Sequence, residues 1–285
     1  MTTLYEKAYA KLNLTLDILG KREDGYHDLK TVMQTVSLYD EIRLDIGTGK
    51  PWEILCRRED VPCDRRNLVW KAAEAFCRYI DCDPDGICIH IEKKIPSGAG
   101  MGGGSADAAA VLRMLNRHYG EPLSSEELAA LGATFGSDVP FCVWGGTVMC
   151  EGRGEIMRRL PEMPKGIFLI CKPDFSVSTP VLFCEIDSVE IYEHPDNDAM
   201  EKALKAGELS TIAREIYNVF DPVVSRMHPE ISHIKGICNS HGALASQMTG
   251  SGSVVFALMP DTASAEKAFQ EMKKTYSQVF LAEPV

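Results

Sequence analysis

Residues 96 to 110, Pro96-Ser-Gly-Ala-Gly-Met-Gly-Gly-Gly-Ser-Ala-Asp-Ala-Ala-Ala110, have the makings of an anion cradle. Five glycines in seven residues let the backbone turn tightly and aim several N–H groups at one point without interference from Cβ atoms. Apolar residues at 108, 111, 112, 115 and 119 predict a helix over Ser105–Tyr119 that stops before Gly120. The free N–H groups and positive dipole end of that helix add to the cradle, for which phosphate is the usual occupant. Two other segments carry groups that could act on a bound phosphate. Lys11 and Asn13 share one side of an alternating run whose Leu12, Leu14, Leu16 and Ile18 face the other way, which predicts a half-buried strand with a polar face. Asp138 lies in the turn Gly136-Ser-Asp-Val-Pro-Phe141, where a carboxylate can project as a general base or simply cap a turn.

The loop is not a Walker A motif, because no lysine occurs between Pro96 and Arg113. Gly98, Gly100 and Gly103 satisfy G-x-G-x-x-G, but two helices follow instead of a strand ending in an acid, which weakens a dinucleotide reading. Neither H-R-D nor D-F-G is present, so the protein-kinase signatures are missing.

The elements that must position these groups are a mixture of strands and helices. Strands are expected at Thr31–Leu38, Glu41–Ile46, Ile87–Ile91, Phe141–Cys150, Gly166–Lys172, 243–249 and 253–258. Helices are expected at Asn67–Ile80 with Asn67 as cap, from Ser124 with a capping box to Glu127, at 198–219, 229–239 and 263–275. The order lacks strict βαβ alternation, which favours α+β over a doubly wound sheet. Two lobes are expected, residues 1–155 and 156–285, joined near Glu151–Met157.

Composition narrows the setting. Thirty basic against 41 acidic residues give a net charge of −11, which argues against a dedicated nucleic-acid surface. The apolar run Val254–Met259 is far short of the ~20 residues of a spanning helix. Glu6, Lys7 and Lys11 interrupt the place of a signal-peptide core, so a cytoplasmic location is expected. Ten cysteines without a C-x-x-C read as reduced thiols, several of them packed as small hydrophobes, and the seven histidines show no metal-binding spacing.

With these residues in view, the chain resembles the galactokinase, homoserine kinase, mevalonate kinase and phosphomevalonate kinase superfamily. Its phosphate loop matches Pro96–Ala110, its N-terminal motif Ala8-Tyr-Ala-Lys-Leu-Asn-Leu14, and its C-terminal glycine motif Gln247-Met-Thr-Gly-Ser-Gly-Ser-Val-Val-Phe256. Leu19-Gly-Lys-Arg-Glu-Asp-Gly-Tyr-His-Asp-Leu29, the triple glycine before Ser105, and Gly136–Phe141 most resemble the 4-diphosphocytidyl-2-C-methyl-D-erythritol kinase family. One departure is Ala106, which stands where the superfamily commonly has a second serine.

The resemblance implies a two-lobed α+β kinase with its site in a cleft, using ATP with Mg2+ to phosphorylate the 2-hydroxyl of the cytidyl diphosphate sugar alcohol. It implies Asp138 as base and Lys11 as its catalytic partner. Pro96, Gly98, Ala99, Gly100, Met101, Gly102, Gly103, Gly104 and Ser105 are implied to hold ATP, with Asn67 near the adenine or acting only as a helix cap. Asn13, Tyr26, His27, Phe183, Thr179, Gly250 and Ser251 are implied on the substrate side, Tyr26 and Phe183 by stacking on the cytosine; read alone, Phe183 is a core residue. No nucleic acid, membrane or protein partner is expected. Other readings are a kinase of another small alcohol, a non-catalytic nucleotide-binding regulator, and an NAD-dependent enzyme resting on G-x-G-x-x-G alone.

Overall fold

The computed structural model describes residues 1–285, which pack as two compact units. Unit 1 comprises Met1–Ala10, Tyr39–Ser97 and Gly102–Gly145, and unit 2 comprises Lys11–Leu38, Gly98–Met101 and Gly146–Val285. The division is therefore not one cut in the chain such as 1–155 and 156–285. Residues 11–38 and 98–101 pack with the unit that contains the C-terminal half. Two 20-residue strands, β1 (Thr2–Lys21) and β2 (His27–Ile46), contribute to both units. The expected strands at 31–38 and 41–46 are thus one, since neither Tyr39 nor Asp40 breaks extended backbone.

In unit 1, β3 (Glu53–Cys56) runs parallel to β4 (Ile87–Glu92), which pairs antiparallel with β2 in the register Ile42↔Ile91 and Leu44↔Ile89. One face of these strands is apolar and buried, with Ile42, Leu44, Ile54, Ile87, Ile89 and Ile91. Helix α1 (Leu68–Tyr79) starts where expected: the Asn67 side chain accepts the Val69 N–H at 3.1 Å. It packs on α2 (Gly103–His118), and its Val69, Ala72, Ala73, Phe76 and Cys77 are buried. Helix α3 (Ser125–Ala133) carries the expected Ser124/Glu127 capping box. The next segment corrects the sequence reading. Residues 139–144 form a short helix, α4 (Val139–Trp144), and only β5 (Thr147–Gly152) is strand. An apolar run of this length fits either period, and Pro140 in the first turn suits a helix start.

In unit 2, β2 pairs antiparallel with β5, and β5 with β6 (Ile156–Arg159). A second sheet follows the order β11-β7-β10-β9, from β7 (Ile167–Lys172), β9 (Ala245–Met248), β10 (Val255–Met259) and β11 (Gln278–Ala282). The expected helix at 198–219 is divided into α6 (Asn197–Ala206) and α7 (Leu209–Glu215), because Gly207 ends the first at φ +71°. The strand β8 (Tyr217–Asn218) pairs parallel with β1 at Thr15 and Leu16. Helices α5 (Thr179–Ile186), α8 (Asp221–Met227), α9 (Glu230–Ser240) and α10 (Thr262–Met272) complete the unit. Its core joins Leu16, Leu169, Phe220, Ile231, Val255 and Ala268. All ten cysteines are free thiols, and no helix is long and apolar enough to cross a membrane.

Candidate active site

The polar side of β1 is not solvated, contrary to the half-buried expectation. Lys11, Asn13, Thr15 and Asp17 are all buried, at 3%, 2%, 0% and 5% exposure. Burial at this level requires partners, and unit 2 supplies them. Lys11 Nζ donates to Asn13 Oδ1 at 2.7 Å, and Asn13 Nδ2 donates to Thr31 Oγ1 at 2.8 Å. Thr249 Oγ1 accepts the Asn13 backbone N–H at 2.9 Å and lies 3.2 Å from Asn13 Oδ1. An amide and two hydroxyls thereby help to orient the ammonium.

The first half of the glycine loop packs on this network. The Lys11 backbone N–H donates to the Met101 carbonyl at 3.0 Å, so the lysine and the loop are tied main chain to main chain. Gly98, Gly100 and Gly102 alternate along the turn at φ +58°, +74° and +66°, a left-handed region that side chains rarely tolerate. At Gly100 space also excludes a side chain, since a Cβ would stand 2.3 Å from the Thr249 carbonyl oxygen. The C-terminal glycine motif is thus stacked directly on the loop. Within that motif, Ser251 Oγ lies 2.8 Å from Thr179 Oγ1, which brings two substrate-side candidates together.

The second half of the loop opens α2 in unit 1. The N-cap is Gly102, which has no side chain to cap the helix, so its first N–H groups, at Gly103, Gly104 and Ser105, are not consumed by a capping side chain. Behind them lies a cluster that sequence reading missed. Lys93 Nζ donates to Asp40 Oδ2 at 2.5 Å and Asp107 Oδ2 at 2.7 Å, all three side chains being at most 4% exposed. Asp40 Oδ1 also accepts the Lys94 and Ile95 N–H groups at 2.5 and 2.8 Å. Burial pushes the Asp107 carboxyl up to about 8, against the pull of Lys93 and with a push from Asp40. Burial works against the Lys93 ammonium as well, but the two carboxylates hold its pKa above the usual lysine value. Asp107 Oδ1 has no hydrogen-bond partner.

Asp138 occupies the N-cap position of α4, but its side chain makes no capping bond there. A Cβ at the preceding Gly136 would stand 3.9 Å from Ser105 Oγ, so this turn abuts the start of α2. Asn67, by contrast, is committed: its oxygen caps α1 and its Nδ2 donates to the Pro62 carbonyl at 2.7 Å.

A third group forms around the turn that links β1 and β2. His27 stacks on Phe183 with ring centroids 4.6 Å apart and donates from Nε2 to Asp187 Oδ1 at 2.7 Å. Lys21 bonds the other carboxylate oxygen at 2.5 Å; it and His27 hold Asp187 below the usual carboxylate range. Phe183 also meets Phe220 edge to face, so the ring is half in the core and half at the surface. Tyr26 is 52% exposed, and the Arg153 guanidinium lies 3.7 Å from its ring centre. Asp187 and Arg153 were not anticipated. Asp187 follows Phe183 by one helical turn, a spacing visible in the sequence only once His27 is known to stack there.

Comparison with known proteins identifies the family. Residues 67–146 match the GHMP kinases N terminal domain, and residues 200–278 match the GHMP kinases C terminal domain. The chain is 41% identical over 279 residues to a 4-diphosphocytidyl-2-C-methyl-D-erythritol kinase of Clostridium acetobutylicum, covering 98% of this chain and 99% of the relative. It is 42% identical over 275 residues to the protein of that name from Caldicellulosiruptor saccharolyticus, covering 96% and 94%. A crystal structure of 4-(cytidine 5'-diphospho)-2C-methyl-D-erythritol kinase superposes with a TM-score of 0.83 at 29% identity, over 99% of each chain. Such likeness, end to end and in both parts of the fold, places the chain in the GHMP kinases, within the 4-diphosphocytidyl-2-C-methyl-D-erythritol kinase family.

Proposed function

We propose that this kinase transfers the γ-phosphoryl group of ATP to the 2-hydroxyl of 4-diphosphocytidyl-2-C-methyl-D-erythritol, in the cytoplasm, for isoprenoid precursor synthesis by the non-mevalonate route. One observation carries the reading most directly. The chain matches kinases of that name nearly end to end, and the lysine the family resemblance singles out is hydrogen-bonded through its main chain to the phosphate loop.

In this reading the loop from Pro96 to Ser105 grips the triphosphate through main-chain N–H groups, and the dipole of α2 favours the negative charge. Asp138 accepts the proton of the attacking hydroxyl as its oxygen bonds to the γ-phosphorus. The bond from that phosphorus to the β–γ bridging oxygen breaks, and ADP leaves. Phosphoryl transfer through a loose transition state needs mostly positioning and charge stabilisation, which suits an ammonium held at Asn13. Mg2+ keeps several waters and needs few protein oxygens. Ser105 Oγ, in the first turn of α2, is a protein oxygen that would hold it. When bound, the ion neutralises charge on the transferred group.

Substrate choice falls to the group around His27. A stacked imidazole fixed by Asp187 presents a ring edge of defined hydrogen-bond character, and Tyr26 offers an exposed face to the base. Thr179, Gly250 and Ser251 lie beside it on the sugar alcohol side in this proposal.

The decisive experiment is Asp138→Asn, assayed for ADP release in the presence of the cytidylated substrate. Loss of a general base lowers kcat by about 10²–10⁴-fold, with circular dichroism unchanged; turnover at the wild-type rate sinks the assignment. Tyr26→Ala tests the base end. Its KM for the cytidylated substrate should rise while KM for ATP stays put, because a lost base stack costs about 1–3 kcal/mol. A homoserine or mevalonate kinase would be indifferent to it.

A further inference from the structure

On the face of the unit 1 strands opposite the apolar core, three polar side chains from two strands converge. Cys88 and His90 are alternate residues of β4 and so share this face. Asp45 on β2 is the direct cross-strand partner of Cys88, and Glu53 on β3 is its partner on the other side. Cys88 Sγ lies 3.3 Å from His90 Nε2, and His90 Nε2 lies 3.2 Å from Asp45 Oδ2. The Asp45, Cys88 and His90 donor atoms all fall within 4.8 Å of one another.

These separations have a meaning. A tetrahedral zinc ion with bonds of about 2.0–2.3 Å sets its ligand atoms about 3.3–3.8 Å apart. Two residues at i and i+2 of one strand, with a third across an antiparallel pair, give that spacing without any change of backbone. The Asp45 carboxylate is already oriented as a ligand. Thr3 Oγ1 donates to its Oδ1 at 2.7 Å, which turns Oδ2 towards the cluster. A cationic group already stands where these lone pairs point. The Arg43 NH2 group is 2.7 Å from both Asp45 Oδ2 and His90 Nε2. Its side chain is 40% exposed, so it can swing into water.

We propose that Asp45, Cys88 and His90 form a three-ligand binding site for a zinc-like divalent transition metal, completed by water, that ties β2 and β4 together. Sulfur, imidazole nitrogen and carboxylate oxygen together suit zinc better than magnesium or calcium. On binding, the Cys88 thiol gives its proton to solvent, the thiolate bonds the metal, and the Arg43 guanidinium is displaced. Nothing assigned to the kinase reaction is touched.

The test titrates the chelator-treated full chain with Co2+, followed by displacement with Zn2+. One equivalent should bind, with thiolate-to-cobalt absorption in the near ultraviolet and the intense visible bands of a tetrahedral ion. Cys88→Ser should abolish the ultraviolet band, whereas Cys63→Ser and Cys184→Ser, at exposed cysteines, should leave it intact. His90→Gln, at a half-exposed side chain that folding tolerates, should weaken binding at least 10-fold with ADP release unchanged. Arg43→Ala should tighten binding at least 10-fold, because an internal competitor is gone. The site is overturned if neither wild type nor Arg43→Ala gives the thiolate band, or if the band persists in Cys88→Ser or keeps its strength in His90→Gln. An Arg43→Ala affinity equal to or below that of wild type overturns it as well.

Discussion

Two buried lysines stand behind the two halves of the glycine loop, and their surroundings differ in kind. Lys93, in unit 1, is locked between the carboxyl groups of Asp40 and Asp107, so its charge is spent inside the protein. Lys11, in unit 2, donates to an amide oxygen at 2.7 Å, and hydroxyls in turn surround that amide, so a chain of polar groups orients it. The first arrangement anchors: through Asp40 it holds the N–H groups of Lys94 and Ile95 before the loop, and through Asp107 the first turns of α2 after it. The second arrangement suits action on an anion, because amide and hydroxyl dipoles aim a cation at the side of the loop. A phosphate loop made almost wholly of glycine has little stiffness of its own, and a staple across its ends supplies what the composition lacks.

Lys93→Met should have the largest effect on stability. It leaves two buried carboxyl groups with no counter-charge, and removing one partner of a buried ion pair costs about 3–5 kcal/mol. Urea denaturation of the whole chain measures this; a loss under about 1 kcal/mol would mean that the cluster anchors nothing.

Lys11→Met should do the reverse. Asn13 Oδ1 keeps Thr249 Oγ1 as a donor and Asn13 Nδ2 keeps Thr31, so the network survives and the fold should hold. Loss of one charge-stabilising donor at a reacting centre lowers kcat by about 10²–10³-fold. If Lys11→Met unfolded the protein while Lys93→Met removed activity alone, the contrast between anchor and actor would be inverted.

Much of this was legible in the sequence, for reasons that separate along the same line. The loop, α1 with its Asn67 cap, the capping box at Ser124 and the pair Lys11/Asn13 are local patterns, each readable within about ten residues. The Lys93 cluster joins residues 40, 93 and 107, and no local pattern announces a pairing across 53 positions. Burial of the polar face of β1 was hidden too, since its partners Thr31 and Thr249 stand up to 236 residues away. Helix α4 was misread because six apolar residues carry no period of their own; Gly145 and Gly146, both at positive φ, separate it from β5. Asp107 shows the limit most sharply. At the first turns of a helix it reads as a dipole partner or metal ligand, and only its neighbours show that it closes an ion cluster.

Asp107 also yields the most specific prediction, a dependence on pH. Its carboxyl is raised to about 8 in the folded protein, chiefly by burial, while in the unfolded chain it titrates near the ordinary ~3.9. Between those values the folded state holds a proton that the unfolded state does not. Stability from this group is therefore complete below about pH 4 and is lost as the pH rises towards 8, with a slope of up to about 1.4 kcal/mol per pH unit. Asp107→Asn removes the titration, keeps an oxygen for the Lys93 ammonium, and adds two N–H donors where Asp40 can accept one. Wild type should thus lose stability relative to Asp107→Asn as the pH is raised from 5 to 8, when both are followed by urea denaturation. A constant difference across that range would mean that Asp107 stays ionised throughout. The cluster would then carry two carboxylates against one ammonium, a net negative charge behind a loop that binds anions, and the anchor would oppose the site it supports.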